Sequence, residues 1–306
     1  MTHQTPIYSG KVREIFSDGN RLIIAATDRL SAFDRMICDV PRKGAVLNLL
    51  SAWWFVKTAG IIPNHLIEVP DQNIMVVKKC APIPLEIVVR GYITGSTDTS
   101  IWVQYLNGAR DFGGLRLADG LRKNQALPDA IVTPTTKSHD HDRPITRSEI
   151  LAAGILSAEE WDFIAAKAIA LYTFGAAFAL KKGLILVDTK YEFGFDEQHR
   201  ITLIDEMHTP DSSRYWLAAT YDQRIKENDE PDNFDKEFIR LWIKRHSNPY
   251  HDDVLPVIPD ELINELSERY QTIYRMLTGN DVPPASPEPL ENRIQSILQS
   301  STNYGM

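Results

Sequence analysis

Asp188, Lys190 and Glu192 occupy alternate positions in the run Leu184-Ile-Leu-Val-Asp-Thr-Lys-Tyr-Glu-Phe-Gly194, and Asp205 closes a second apolar run, Ile201-Thr-Leu-Ile-Asp205. Side chains two apart on a strand share a face, so this spacing sets two carboxylates and an ammonium in one row. The intervening Gly194-Phe-Asp-Glu-Gln-His-Arg200 reads as a hairpin turn that brings Asp205 back beside the row. Two carboxylates about 4 Å apart repel by roughly 4 kcal/mol at an effective dielectric of about 20, so the pair calls for a cation. A hard, oxygen-seeking ion fits. Mg²⁺ takes one or two protein carboxylates and leaves its other positions to water and phosphates, which points to a nucleotide triphosphate site. The competing reading is a solvated hairpin with salt-bridged charges on its outer face.

Other segments carry phosphate chemistry. Pro82-Ile-Pro-Leu-Glu-Ile-Val-Val-Arg-Gly-Tyr-Ile-Thr-Gly-Ser96 places Glu86 and Arg90 inside an apolar strand and ends in a glycine turn with a hydroxyl. A guanidinium fork, exposed backbone N–H groups and a serine suit a phosphate monoester. The alternative is an internal Glu86–Arg90 ion pair. Pro210-Asp-Ser-Ser-Arg214 either grips the same phosphate from the other side or is a turn leading into a helix. Ser9-Gly10-Lys11-Val12-Arg13 supplies one glycine and two cations without the P-loop pattern, and a basic surface strand explains it equally well. Thr27-Asp-Arg-Leu-Ser-Ala-Phe-Asp34 either meets a substrate or shapes a turn. Thr135, Thr136 and Lys137 are candidates for contacting phosphate, whereas His139-Asp-His-Asp142 reads as a solvated loop. His208, His246 and His251 have no pairing that marks them as ligands or bases.

The elements that must position these groups follow from periodicity and punctuation. Ser9 to Phe16, the turn formers Ser17-Asp-Gly-Asn20 and Leu22 to Ala26 form a hairpin signal; Asn48 to Gly60 is helical, and Ile74 to Val77 and Ile83 to Val89 are strands. The middle, Tyr105 to Asp129 and the polar Thr133 to Pro144, reads as loops able to close over substrates. Thr146 with Glu149, and Ser157 with Glu160, match capping boxes, and Gly183 ends the second of these helices. Phe238 to Trp242 and Asp260 to Leu277 read as packing helices, and the proline-rich 281–289 as a linker to a short amphipathic segment, Leu290 to Leu298.

A chain of 306 residues with 43% hydrophobic and 24% charged residues is an ordinary folded protein large enough for two lobes. Net charge of −8 argues against nucleic-acid or membrane-surface binding. Cys38 and Cys80 make neither a disulfide framework nor a zinc site, so a reducing cytoplasm is the simplest compartment. The N-terminus lacks an export signal, and the alanine-rich Phe163 to Leu180, interrupted by Lys167, reads as a buried core helix rather than a membrane span.

Taken in order, GKVREIF, ATDRLSAFD, IPLEIVVRGYITGS, TPTTK, DTKYEFG and LIDEMHTPDSSRYW closely resemble the phosphoribosylaminoimidazole-succinocarboxamide (SAICAR) synthase family, from about Gly10 to Trp216. The resemblance implies an α+β, two-lobed fold: a kinase-like N-terminal lobe over residues 1–81, and an ATP-grasp-like lobe with extra C-terminal helices over 82–306. It implies the joining of L-aspartate to the carboxylate of carboxyaminoimidazole ribonucleotide with ATP and Mg²⁺ in purine synthesis. An acyl phosphate is the expected intermediate on chemical grounds, because a carboxylate is a poor electrophile until it is phosphorylated. Partners would be these small molecules, with no nucleic acid and no membrane, for a monomer or homodimer. By that similarity Glu192 and Asp205 hold Mg²⁺; Gly10, Lys11 and Arg13 lie over the ATP phosphates; and the backbone from Lys79 through Ala81 to Pro82 receives adenine. Arg90, Ser96, Ser212 and Arg214 bind the ribonucleotide, with Asp188 and Lys190 nearer its imidazole and reacting carboxylate. Lys190, Asp188 and Lys11 are the implied catalytic residues. The aspartate pocket stays open among Asp28, Ser31 and the Thr135 to Lys137 segment. A kinase that leaves its phosphoryl group on the product is set aside on the reading that neither a His-Arg-Asp nor an Asp-Phe-Gly motif occurs. A non-catalytic nucleotide module would not need two phosphate-gripping arginines opposite the metal row.

Overall fold

The computed structural model describes residues 5–97, 100–112, 114–137 and 143–302, so the His139 to Asp142 loop lies outside the described residues. The N-terminal part comprises β1 (Tyr8–Ser9), β2 (Arg13–Asp18), β3 (Arg21–Ala26), a hairpin of β4 (Arg29–Ala32) and β5 (Arg35–Asp39), helix α1 (Lys43–Thr58), β6 (Leu66–Asp71) and β7 (Ile74–Lys78). Its antiparallel sheet has the order β1-β2-β3-β7-β6, and Gly19, at φ 63°, makes the expected turn between β2 and β3. Helix α1 starts earlier than periodicity predicts. Its N-terminus is closed from a distance by Asp28, which accepts from the backbone N of Arg42 at 3.2 Å and of Gly44 at 2.8 Å.

The second part continues with β8 (Ala81–Pro82), β9 (Leu85–Ile93), α2 (Ile101–Leu106), a small hairpin of β10 (Asp111–Phe112) and β11 (Leu115–Arg116), β12 (Gln125–Thr136), α3 (Arg147–Ala152) and α4 (Ala158–Lys181). Then come β13 (Leu184–Phe195), β14 (Ile201–Ile204), β15 (Ser213–Leu217), α5 (Ala218–Glu227), α6 (Glu237–His246), α7 (Asp260–Thr278) and α8 (Leu290–Thr302). The sheet runs β12-β9-β13-β14, and β13 also pairs with β8 and β15.

Two loop expectations are corrected. The end of the Tyr105 to Asp129 stretch and the start of the Thr133 to Pro144 segment, both read as loop, belong to one twelve-residue strand, Gln125–Thr136, in which Thr133 to Thr136 pair with Val88 to Leu85. Its prolines are compatible with pairing because β12 is an edge strand and its register breaks between Ala126 and Ile131, around Pro128. The Pro210 to Arg214 segment leads into strand β15 rather than directly into a helix. Both capping boxes form as expected, at Thr146/Glu149 and Ser157/Glu160.

Helix α4 backs the second sheet, with Ile164, Ala168 and Leu171 buried. It is less enclosed than predicted, since Phe163, Phe174 and Leu180 on its outer side are exposed. It is the one helix among the described residues long and apolar enough to cross a membrane by length and composition alone.

A bulge in β13 gives the charged row its face. Leu184 and Leu186 belong to the main core, and so do Tyr191 and Phe193, so parity changes where the register shifts between Leu186 and Asp188. Asp188, Lys190 and Glu192 therefore share the face opposite the core. That core is contiguous, joining Ile24 and Trp54 of the first part to Leu186 and Tyr270 of the second. The chain then returns: Ile294 and Leu298 of α8 bury against Phe16, Ile23, Ile74 and Val76 on the far side of the first sheet. Residues 290–302 are thus spatially part of the N-terminal half, although the sequence division at 81/82 assigns them to the other lobe.

Candidate active site

Strand β13 carries two charged clusters in succession. At its C-terminal end, the Lys190 ammonium lies 2.6 Å from Glu192, 3.1 Å from Glu86 on β9 and 3.6 Å from Asp205 just past β14. The predicted hairpin sets this up, pairing Glu192 with Ile204 and Phe195 with Ile201. Asp205 adopts φ 68°, a left-handed conformation unusual for a residue with a Cβ. Burial alone would raise its carboxyl pKa, yet Arg13, Lys190 and Lys137 outweigh that and hold it well below the carboxylate range. Burial likewise opposes the Lys190 charge, and Glu192, Glu86 and Asp205 overcome it, raising its pKa well above the ordinary lysine value.

The first lobe reaches in through Arg13, whose guanidinium contacts Asp205 and lies 2.9 Å from Glu206. Gly10 turns the preceding loop, its N–H donating to the Arg13 carbonyl at 2.8 Å. Arg29 holds that loop from behind, bonding the carbonyls of Gly10 at 3.1 Å and Lys11 at 3.2 Å. Lys11 itself points to Asp34, 2.5 Å away, on an exposed edge rather than into the carboxylate row. The lobes connect at Lys79, whose N–H donates to Asn20, and at Ala81 and Pro82, which pair with Phe195 and Gly194. Gly194 permits this close crossing, since a Cβ there would stand 2.8 Å from the Ala81 carbonyl oxygen.

Toward the N-terminal end of β13, Asp188 is held by two arginines: Arg214 Nη1 at 2.5 Å and Arg90 Nη1 at 3.7 Å. The register makes this unavoidable, because Asp188 is the partner of Arg90 on β9 and of Arg214 on β15. Burial draws the Arg90 guanidinium down to about 10 despite Asp188. Glu86 and Arg90, the suspected internal pair, take separate partners, Lys190 and Asp188. Gly95 brings the Thr94–Ser96 loop against this cluster at φ 106°, and a Cβ there would lie 3.3 Å from Arg214 Nη2. Ser212 sits between the clusters, its carbonyl accepting from Lys190 N at 3.0 Å.

Lys137, a candidate for contacting phosphate, lies 2.5 Å from Glu192. Two contributions were not anticipated as site residues: Glu206, bonded by Arg13 and Thr209, and Glu237 of α6, 3.5 Å from Arg214. Glu206 lay beside Asp205 in the sequence, but nothing in the strand pattern said that the chain would turn there. An Asp-Phe-Gly tripeptide does occur at 111–113, which corrects the reading that neither kinase motif is present; His-Arg-Asp does not occur. Asp111 and Phe112 form part of the small surface hairpin, where Asp111 accepts from Gly114 N.

A hard-metal site is chemically compatible with the Glu192/Asp205 pair. Its donors are all carboxylate oxygens, and they already flank a cationic group, the Lys190 ammonium. Among the described residues no group of three or more His, Cys, Asp or Glu side chains is arranged to hold a metal ion by itself. Two carboxylates suffice where phosphate oxygens complete the coordination.

Comparison with known proteins decides the family. A sequence profile described as SAICAR synthetase matches residues 6–257. The chain belongs to the SAICAR synthetase family. A phosphoribosylaminoimidazole-succinocarboxamide synthase of Legionella pneumophila is 53% identical over 293 residues, covering 95% of this chain and 94% of that protein. A chloroplastic relative from Arabidopsis thaliana is 53% identical over 287 residues, covering 93% and 70%. Among solved structures, a SAICAR synthase from Saccharomyces cerevisiae complexed with SAICAR matches with a TM-score of 0.77 at 32% identity, covering 90% of this chain and 95% of that one. A Type-2 SAICAR synthetase in complex with ADP gives 0.69 at 27%, covering 91% and 99%. The SAICAR synthetase reaction joins L-aspartate to carboxyaminoimidazole ribonucleotide at the expense of ATP, in purine biosynthesis, and this chain is a ligase of that class.

Proposed function

We propose that the two clusters on β13 are the two ends of the reaction. Glu192 and Asp205 would hold Mg²⁺ against the ATP phosphates, beneath the Gly10, Lys11 and Arg13 loop, with adenine at the Lys79 to Ala81 crossing. Arg90, Ser96, Ser212 and Arg214 would hold the ribonucleotide, leaving Asp188 and Lys190 beside its imidazole and carboxylate. The observation that carries this reading is the position of Lys190. Its ammonium is shared by Glu86, Glu192 and Asp205, while Asp188, two residues earlier on the same face, is fixed by Arg90 and Arg214. A carboxylate beside Lys190 would therefore lie between a triphosphate end and a monoester end. The two unpaired cysteines fit a reducing compartment, and the enzyme would act in the cytoplasm.

A carboxylate oxygen of the ribonucleotide attacks the γ-phosphorus, and the bond to the ADP oxygen breaks. The aspartate nitrogen then attacks the acyl carbon, the bond to phosphate breaks, and the nitrogen loses its proton. Mg²⁺, when bound, neutralises phosphate charge. Lys190 screens the attacking carboxylate from Glu86 and Glu192, and the Asp188 carboxylate is kept from rotating by two guanidinium groups. This is catalysis by placement and charge, with no protein nucleophile needed.

Isotope transfer tests the acyl phosphate. With ¹⁸O in the substrate carboxylate, one labelled oxygen is expected in the inorganic phosphate; unlabelled phosphate rejects the intermediate. Glu192→Ala tests the metal assignment: ADP release at the wild-type rate would exclude Glu192 as a ligand.

A further inference from the structure

Glu206 is acidic and buried, and the chemistry assigned so far does not use it. It directly follows Asp205, and consecutive residues of a regular strand point to opposite faces. Here both carboxylates reach one guanidinium: Arg13 Nη1 contacts Asp205 Oδ1, and Arg13 Nη2 lies 2.9 Å from Glu206 Oε1. The left-handed backbone of Asp205, at φ 68°, ends the alternation of β14 and lets the two side chains converge.

The other Glu206 oxygen is held from the opposite side. Oε2 accepts from the Thr209 hydroxyl, and the fully buried Thr209 Oγ1 in turn accepts from the backbone N of Asp211 at 3.3 Å and of Ser212 at 3.2 Å. The turn into β15 thus fixes this carboxylate independently of Arg13. Asp205 differs, because cations face both of its oxygens: Arg13 at Oδ1 and Lys190 at Oδ2, 3.6 Å away. A carboxylate so placed can exchange one cation for another. When Asp205 takes Mg²⁺, Arg13 Nη1 loses a partner, whereas Nη2 keeps Glu206. A guanidinium this buried needs such a remaining counter-charge, since an unpaired buried ion is strongly unfavourable.

We propose that Glu206 is the positioning residue of Arg13: it holds Nη2 over the nucleotide site while Nη1 exchanges Asp205 for a phosphate oxygen. This rests on the placement of Arg13 and Asp205 under the proposed function. Glu206 acts through Arg13 and not on the reacting atoms. Because Arg13 begins β2 and Glu206 belongs to the second part of the chain, the same pair keeps the two lobes in contact while nucleotide enters and leaves.

The test is calorimetric titration of the full chain with ADP, in excess MgCl₂ and in EDTA, on wild type, Glu206→Gln, Arg13→Met and the double variant. Glu206→Gln is expected to weaken ADP binding about tenfold with Mg²⁺, where Asp205 is committed to the metal. In EDTA, where Asp205 still holds Arg13, the loss should be less than about twofold. In the Arg13→Met background the same substitution should change the affinity with Mg²⁺ by less than about twofold, because no guanidinium remains to be positioned. Glu206→Gln should also raise the KM for ATP and leave that for the ribonucleotide unchanged. An unchanged affinity with Mg²⁺, an equal loss with and without it, or the full loss again in the Arg13→Met background overturns the assignment. Should Glu206→Gln fold poorly, Thr209→Val, which removes the anchor of the same carboxylate, is read in the same way. A wild-type chain that binds ADP no more tightly with Mg²⁺ than in EDTA would instead refute Asp205 as a metal ligand, and the assignment with it.

Discussion

The hydroxyl of Tyr191 lies 2.5 Å from Nε2 of His208, deep behind the active strand. His208 holds a second tyrosine as well, since its carbonyl accepts from the Tyr215 hydroxyl at 2.7 Å. Tyr191 stands between Lys190 and Glu192, and Tyr215 follows Arg214. One buried residue therefore fastens the strand carrying the carboxylate row and the strand carrying the second arginine. His208 adopts φ 49° and packs against Gly175 of α4, where a Cβ would lie 2.2 Å from the ring. Tyr191→Phe leaves a buried ring nitrogen unsatisfied and should cost about 1–3 kcal/mol in denaturant unfolding. It should also lower kcat with little change in KM for ATP. A variant with wild-type stability and turnover would show that the bond positions nothing.

Acid sensitivity follows from two buried imidazoles. Burial holds His65 and His208 neutral, with pKa values drawn down to about 3. A histidine in the unfolded chain takes up its proton near about 6.5. Between those values the unfolded state binds protons that the folded state does not, so the stabilisation is complete above the upper value and is lost as pH falls toward the lower. Each histidine contributes a slope of up to about 1.4 kcal/mol per pH unit. Unfolding free energies measured from about pH 6 down to about pH 4.5 should fall steeply, and His65→Gln should remove about half of that slope. The carboxylates of Asp205 and Asp211, held low by their cations, add their loss only at more acid pH.

Gly95→Ala should damage ribonucleotide binding more than nucleotide binding. The residue sits at φ 106°, and a Cβ there would meet Ser100 Cβ at 2.4 Å as well as the Arg214 guanidinium. The loop must shift. A several-fold higher KM for the ribonucleotide is expected, with a stability loss of about 1–3 kcal/mol from backbone strain. Equal effects on ATP and ribonucleotide would contradict the placement of this loop.

Ile294→Ala and Leu298→Ala should each destabilise the protein by about 2–5 kcal/mol, as expected for large-to-small substitution in a packed interface. Arg293 pins the same helix, contacting Asp71 and lying 3.3 Å from Asn73. Because α8 packs beneath the strand that continues from the Gly10 loop, weaker nucleotide binding should accompany the loss. Thermal unfolding with and without ADP measures both effects.

The sequence made the charged hairpin legible because alternation on a strand is local: residues 184–205 need only their own periodicity. The capping boxes were legible for the same reason. Strand β12 was not, since its prolines resemble loop punctuation until β9 is known to lie on one side only. The cap on α1 comes from Asp28, and the cations around Asp211 come from α1 and α6; no spacing along the chain announces such meetings. His208 shows the limit most clearly. As a lone histidine it had no partner within reach of sequence inspection, and its partners are supplied by the tertiary fold.

The seat of α8 has a consequence for biosynthesis. Phe16, Ile23, Ile74 and Val76 are translated early, but the helix that shields them spans residues 290–302. Until the ribosome has released that stretch, the nascent N-terminal sheet presents an uncovered apolar surface. The β1-β2-β3-β7-β6 sheet is thus translated before the β12-β9-β13-β14 sheet and completed after it.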